Sequence, residues 1–230
     1  MLSSLAHMHQ ELATLSRSEG VRICVGTIAG ALAAVLADAL LAFHQRHPAV
    51  TIDLQEGTSA HLLEGLQSGT LDLALCRTSV ATQSSLFHFE WLCDEEASVA
   101  VSPTHPLADC ESVSLEQAAQ YPWILFPGHM PLRTLLEREA ASLGVTLASR
   151  PIETSSTFAT ALLLNKSPEL VALMSRETID FFETTRTLRR LPLKIRSSAE
   201  PYGMVTRQGL PVQPVVAELQ RCIRLQAGLP

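Results

Sequence analysis

Apolar and polar residues alternate at Val21, Ile23 and Val25, and from Ile28 the apolar positions become Ala31, Leu32, Val35, Leu36, Ala39, Leu40 and Phe43. The first spacing predicts a strand; the second predicts a helix over 28–43 with one continuous apolar face. His47-Pro48 ends it, because the residue before proline is pushed out of the α region. Alternation returns at Val50, Ile52 and Leu54, followed by a turn at Glu56-Gly57-Thr58. A short helix over 59–68 then turns Leu62, Leu63 and Leu66 inward, with Gly69 as its stop. The run Leu71–Cys76 is nearly all apolar, as a strand covered on both faces requires. Residues 21–76 therefore read β-α-β-α-β, an order that demands parallel strands and right-handed crossovers.

The second half repeats this layout. Strands are predicted at Ala97–Ser102, Trp123–Phe126, Leu170–Met174, Leu188–Ile195 and Tyr202–Val205. Ser114 and Gln117 have the spacing of a capping box, and Pro131 opens a helix stopped by Gly144. Thr154-Ser155-Ser156 caps a helix carrying Phe158, Ala161 and Leu162, and Ile179 with Phe182 marks another. The last helix turns Val215, Val216, Leu219, Cys222 and Ile223 inward. At the other end, Leu5, Met8, Leu12 and Leu15 recur at helical spacing. The duplicated α/β pattern predicts two lobes.

Charge narrows the function. With 17 Lys and Arg against 23 Asp and Glu, the formal net charge is −6. The densest basic segment, Arg186–Arg190, reads as a solvated sheet edge, so no nucleic-acid patch is expected. No apolar run approaches the ~18 residues of a membrane span. The N-terminus has neither a basic region nor an apolar core of a secretory signal, which makes the cytoplasm the expected location. The five cysteines form no C-x-x-C or Cys/His pattern, so neither a disulfide framework nor a metal site is expected. The eight histidines are scattered, and no H-E-x-x-H, G-x-S-x-G, P-loop or G-x-G-x-x-G is present. Gly26-Thr27-Ile28-Ala29-Gly30 has the wrong glycine spacing for a nucleotide turn. Neither catalysis nor a cofactor is expected.

Four stretches carry a family resemblance. Val21–Gly26 is followed by a helix ending Phe43-His44-Gln45-Arg46-His47-Pro48. Next come Glu56-Gly57-x-Ser59 and Leu62-Leu63-x-x-Leu66-x-x-Gly69-x-Leu71-Asp72-Leu73-Ala74-Leu75. His105-Pro106-Leu107 and Tyr121-Pro122-Trp123-Ile124 add weaker matches. Together they resemble the effector-binding domain of LysR-type transcriptional regulators over residues 21 to 226. The resemblance implies a type-2 periplasmic-binding-protein fold: two Rossmann-like lobes joined by two crossover strands. Lobe one is expected at 21–98 with 206–230, lobe two at 99–205, the chain crossing near Val99 and returning near Met204. Residues 1–20 resemble the end of a linker helix, so the expectation is a chain lacking the winged helix-turn-helix through which such regulators reach DNA. A homodimer or tetramer is implied, built on helices 28–43 and 59–68. A redox pair of Cys93 and Cys110 would resemble the peroxide-sensing branch, although unpaired thiols are the simpler reading. The alternative function is a solute-binding protein of a transport system; an enzyme on this fold would need an acid/base cluster. One departure is Asn165-Lys166-Ser167-Pro168, where many members have a Gly-rich turn.

In open parallel sheets, ligands sit beyond the carboxyl ends of strands. Here such junctions carry Thr27 with Ile28, Thr58 with Ser59, and Thr154 with Ser155 and Ser156. Helix starts add unpaired N–H groups and the positive end of a dipole, which favour a carboxylate or another small anion as effector. Each hydroxyl taken alone is also an ordinary N-cap. Arg133 could pair with the anion, and Glu153 could select a hydroxylated or basic ligand.

Overall fold

The computed structural model describes residues 20–147 and 151–229. The helix expected before Gly20 lies outside them. In chain order, β1 (Arg22–Thr27) leads into a helical run of α1 (Ala29–Ala31), a π turn (Leu32–Leu36) and α2 (Ala37–Arg46). Then follow β2 (Thr51–Glu56), α3 (Ser59–Ser68), β3 (Leu73–Cys76), β4 (Phe87–Cys93) and β5 (Ala97–Val101). After α4 (Leu115–Ala118) come β6 (Trp123–Leu125), α5 (Pro131–Leu143), β7 (Ile152–Glu153), α6 (Thr157–Lys166) and β8 (Val171–Ser175). The chain closes with α7 (Arg176–Thr184), β9 (Arg189–Arg190), β10 (Tyr202–Arg207) and α8 (Pro214–Gln226).

The chain divides into two units, one of 1–27, 35–90 and 204–230, the other of 28–34 and 91–203. The boundaries fall just after β1 and inside the π turn, β4 and β10. One five-stranded sheet has the order β2-β1-β3-β10-β4, the other β7-β6-β8-β5-β9.

In the first sheet β1 pairs in parallel with β2 on one side and β3 on the other. Ile23, Val25, Leu73 and Leu75 are buried, as strands covered on both faces must be. Gly26 allows α3 to lie close. A Cβ there would stand 2.6 Å from Leu62 Cδ2 and 2.7 Å from Leu71 Cδ1. Gly69, in the left-handed region at φ 80°, ends α3 as its sequence position predicts. On α2, Arg46 reaches across to α8, donating to Cys222 Sγ at 2.8 Å. Arg224 of α8 grips Glu90 of β4 with two bonds of 2.6 and 2.8 Å.

In the second sheet β6 pairs in parallel with β7 and β8, while β5 runs antiparallel to β8 and β9. Its core gathers Val99, Trp123, Leu136, Leu173 and Leu191. The capping box at Ser114 and Gln117 is formed. In place of the Gly-rich turn, Asn165 Nδ2 donates to Thr187 O at 3.0 Å and so fixes the exit of α6.

Three elements differ from the sequence reading. The long helix is interrupted by the π turn, which leaves Leu32 and Leu40 only half-buried while Val35, Leu36, Ala39 and Phe43 are buried. The strand expected over Leu188–Ile195 is two residues long. Pro192 carries no N–H to continue pairing, and Leu191 N makes the last link, to Val99 O at 2.9 Å. Finally, β4 was not foreseen.

The segment after β9 is held by Glu139 of α5. This buried carboxylate accepts the N–H groups of Arg196 at 3.0 Å and Ser197 at 2.8 Å. Burial pushes its pKa up, but bonds from the Ser197 side chain and the two backbone amides outweigh this and hold it below the usual range. A folded-state pKa below the unfolded value stabilises above the unfolded pKa, about 4.3 for Glu, and that contribution is lost as pH falls through the folded value. Glu139→Gln should therefore lower the unfolding free energy by about 1.5–3 kcal/mol at neutral pH. Denaturant melts should show the gap closing below about pH 4; a gap independent of pH would show that the charge contributes nothing.

Candidate functional site

The first unit collects its polar groups at three neighbouring strand ends. Thr27 closes the central strand β1, opposite Glu56 of β2 and Leu75 of β3, and is fully buried. Its carbonyl accepts Gly57 N at 3.0 Å, tying the end of β1 to the turn after β2. Thr58 is the N-cap of α3; its hydroxyl accepts His61 N at 3.4 Å, a long bond that leaves the side chain half-buried. Ser59 is 5% exposed, and its Oγ accepts Arg77 N at 3.2 Å. That bond links the start of α3 to the residue following β3.

Arg77 is 6% exposed. A guanidinium withdrawn from water to that degree is costly unless partners or ligands compensate it. Sequence reasoning passed over this residue, although the signal was present: a lone arginine directly after the apolar run Leu71–Cys76, at the carboxyl end of a parallel strand. The neighbouring Cys76 thiol is pushed up to about 12 by burial and is chemically quiet. Thr27, Thr58, Ser59 and Arg77 thus share one edge of one sheet. A positive side chain, hydroxyls and the first N–H groups of α3 together suit an anion.

Ile28 belongs to the second unit, as the extended N-cap of α1. It is buried, and its carbonyl accepts Leu32 N at 3.0 Å. Around the carboxyl ends of β6 and β7 the same unit brings together Arg133, Glu153, Thr154 and Ser155. Arg133 donates to Glu137 at 2.5 Å, to Phe126 O at 3.2 Å and to Glu153 at 3.3 Å. One guanidinium between two carboxylates leaves the group net negative, so an anion at Arg133 would have to displace Glu137 or Glu153. The Thr154 hydroxyl accepts Ser156 N at 3.1 Å, and the N-cap of α6 is Ser156, whose Oγ accepts Ala159 N at 3.1 Å. Ser155 lies exposed between them.

All five cysteines are free thiols. Among the described residues no cluster of three His, Cys, Asp or Glu could hold a metal ion, and no helix is long and apolar enough to cross a membrane.

Known proteins resemble this chain along nearly all of its length. The regulator GalR of Pseudomonas putida, an HTH-type transcriptional regulator, is 27% identical over 223 residues. The match covers 97% of this chain but 56% of GalR, so the chain spans a little over half the length of that relative. The effector-binding domain of QuiR, solved in complex with shikimate, superposes with a TM-score of 0.73 at 18% identity, covering 91% of this chain and 98% of that one. The CcmR regulatory domain of Synechocystis PCC6803, in complex with 2-PG, gives 0.73 at 14% identity, covering 89% and 97%. These likenesses fix the fold class as the type-2 periplasmic-binding-protein-like α/β architecture of LysR effector-binding domains. The family model described as the LysR substrate binding domain matches residues 16–227, and the chain belongs to that family.

Proposed function

We propose that this effector-binding domain senses a small carboxylate or related anion at the strand ends of its first unit. The observation that carries the reading is Arg77, buried behind β3 with its backbone N–H held by Ser59 Oγ, beside the N-cap Thr58 and the end of β1 at Thr27. The N–H groups opening α3 and the Arg77 guanidinium receive the anion; Thr27 and Thr58 add hydroxyl bonds. Shikimate and 2-PG, the molecules named with QuiR and CcmR, are anions, which supports this class of effector. The second unit's set of Arg133, Glu153, Thr154 and Ser155 favours a hydroxylated or cationic group, with Arg133 orienting Glu153. By likeness to helix-turn-helix regulators, the domain transmits effector binding to DNA-binding residues outside this chain, in the cytoplasm. Such a signal requires only that the effector bind one conformation better than another.

A melting-temperature screen of shikimate, benzoate, 2-PG and other small carboxylates should give at least one that raises the midpoint, since a ligand bound only by the native state stabilises it. With that carboxylate, Arg77→Gln should weaken binding about 10- to 100-fold, the loss of one charge-assisted bond. Thr58→Ala should cost about 1 kcal/mol of stability as a lost cap and also weaken binding. Calorimetry showing unchanged affinity in Arg77→Gln would remove the anion site from this place.

We also propose a homodimer. On the first unit, Leu54 of edge strand β2 and Leu41 of α2 are exposed. On the second, Ile152 of edge strand β7 and Phe158 and Leu162 of α6 are exposed, Phe158 by 72%. A second copy covering such faces by a twofold relation is the usual solution. In α3, by contrast, Leu62, Leu63 and Leu66 all point inward, so the expected helix 59–68 offers no apolar face of its own. Sedimentation should show a dimer that Phe158→Glu with Leu162→Glu converts to monomer; a dimer indifferent to both charges would place the interface elsewhere.

A further inference from the structure

Within the second unit, the turn after β5 is built on a buried histidine. His105 is 3% exposed, and its Nδ1 accepts Leu107 N at 3.0 Å. An imidazole nitrogen that accepts a hydrogen bond carries no proton, so the ring is neutral with its hydrogen on Nε2. Nε2 is buried beside the backbone of Glu169, short of a full hydrogen bond. Tyr121, which follows α4, packs on the ring with the two centroids 4.5 Å apart.

The ring joins two segments at one end of the second sheet. Val101, the last residue of β5, pairs with Val171, the first of β8. The chain leaving β5 turns at once, with His105 N bonded to Ser102 O at 3.0 Å and Ala108 N to His105 O at 2.9 Å. The chain entering β8 passes Glu169, whose N–H donates to Ser167 Oγ at 3.4 Å. A second proton on the imidazole has to sit on Nδ1, where it meets the Leu107 N–H head-on. The bond is then lost and a cation is left away from water. Burial accordingly pushes the pKa of His105 down, and Glu169, whose backbone and charge both pull it up, does not offset this. Glu169 supplies the charge that acts on the ring, and Tyr121 is the other titratable group against it.

We propose that His105 is an acid-sensitive latch: neutral, it holds the turn after β5 against the chain entering β8, and taking up a proton releases both. The latch lies at the end of the sheet where Trp123 pairs with Val171, away from the end where Leu125 pairs with Glu153. It therefore tunes the second unit without touching the Arg133 and Glu153 set, and it stands or falls apart from the anion site of the first unit. A folded-state pKa below the unfolded value, about 6.5 for His, means that the unfolded chain takes up the proton first. Stability is full above about pH 6.5 and falls with pH until the folded group is protonated as well.

The test compares thermal melts of the whole chain with those of His105→Asn, whose amide oxygen can still accept Leu107 N but takes up no proton. Between about pH 7.5 and about pH 5.5 the unfolding constant of the unmodified chain should rise about tenfold more than that of the variant, an extra midpoint loss of about 3–5 °C. Loss of the ring lowers the variant's midpoint at both pH values, so only the difference counts. Nitrogen NMR of the imidazole in the unmodified chain gives a second reading that needs no variant. His105 should be in its Nε2–H form at neutral pH, and its protonation should coincide with a shift of the Leu107 amide. Equal pH dependence in the two chains, an Nδ1–H form at neutral pH, or protonation that leaves the Leu107 amide unmoved would overturn the proposal.

Discussion

The parallel pairing of β1 with both β2 and β3 constrains everything else in the first unit. Parallel strands need crossover helices, and each helix must start where its strand ends, so helix starts and strand ends collect along one edge. Polar groups placed there leave water and must find bonds. Ser59 does so through Arg77 N, Thr58 through His61 N, and the Thr27 carbonyl through Gly57 N. Gly26 sets how closely α3 sits over this edge, since any side chain would collide with Leu62 and Leu71. The same geometry that solves a packing problem is the one on which the proposed anion site rests, with Arg77 as its charge.

Much of this was legible because the burial demand is strongest there. The alternation at Ile23 and Val25, the stripe through Leu62 and Leu66, and the apolar run to Cys76 each gave the right element, and Gly69 and Gly144 gave the right stops. Strand β4 was missed although Phe87, Phe89, Trp91 and Cys93 alternate; as one of the sheet's two edge strands it buries only Leu92 fully, so its pattern is weak. The π turn could not be read, since one extra residue per turn barely shifts an apolar stripe. Residues 188–195 were read as one strand because the apolar alternation through Leu191, Leu193 and Ile195 outweighed Pro192.

The candidate site was legible by position and less so by partner. Which strand ends carry hydroxyls follows from sequence order. What those hydroxyls already bind does not, because Ser59 and Arg77 are 18 residues apart and Arg133 and Glu153 are 20 apart. Arg133 consequently looked like an anion receptor from sequence and proves to be engaged by two carboxylates. Arg77 was overlooked because a single charge after a strand reads as the strand's solvated end, and only its burial marks it out.

Amide hydrogen exchange of the whole chain, with and without a saturating carboxylate that raises its melting midpoint, tests the anion site most directly. The account predicts added protection at the turn and helix start 57–60 and at 77–78 after β3, with little change in the groove formed by Leu71, Arg207 and Val212 on the same unit. Protection concentrated in that groove, with residues 57–60 and 77–78 unaltered, would contradict it.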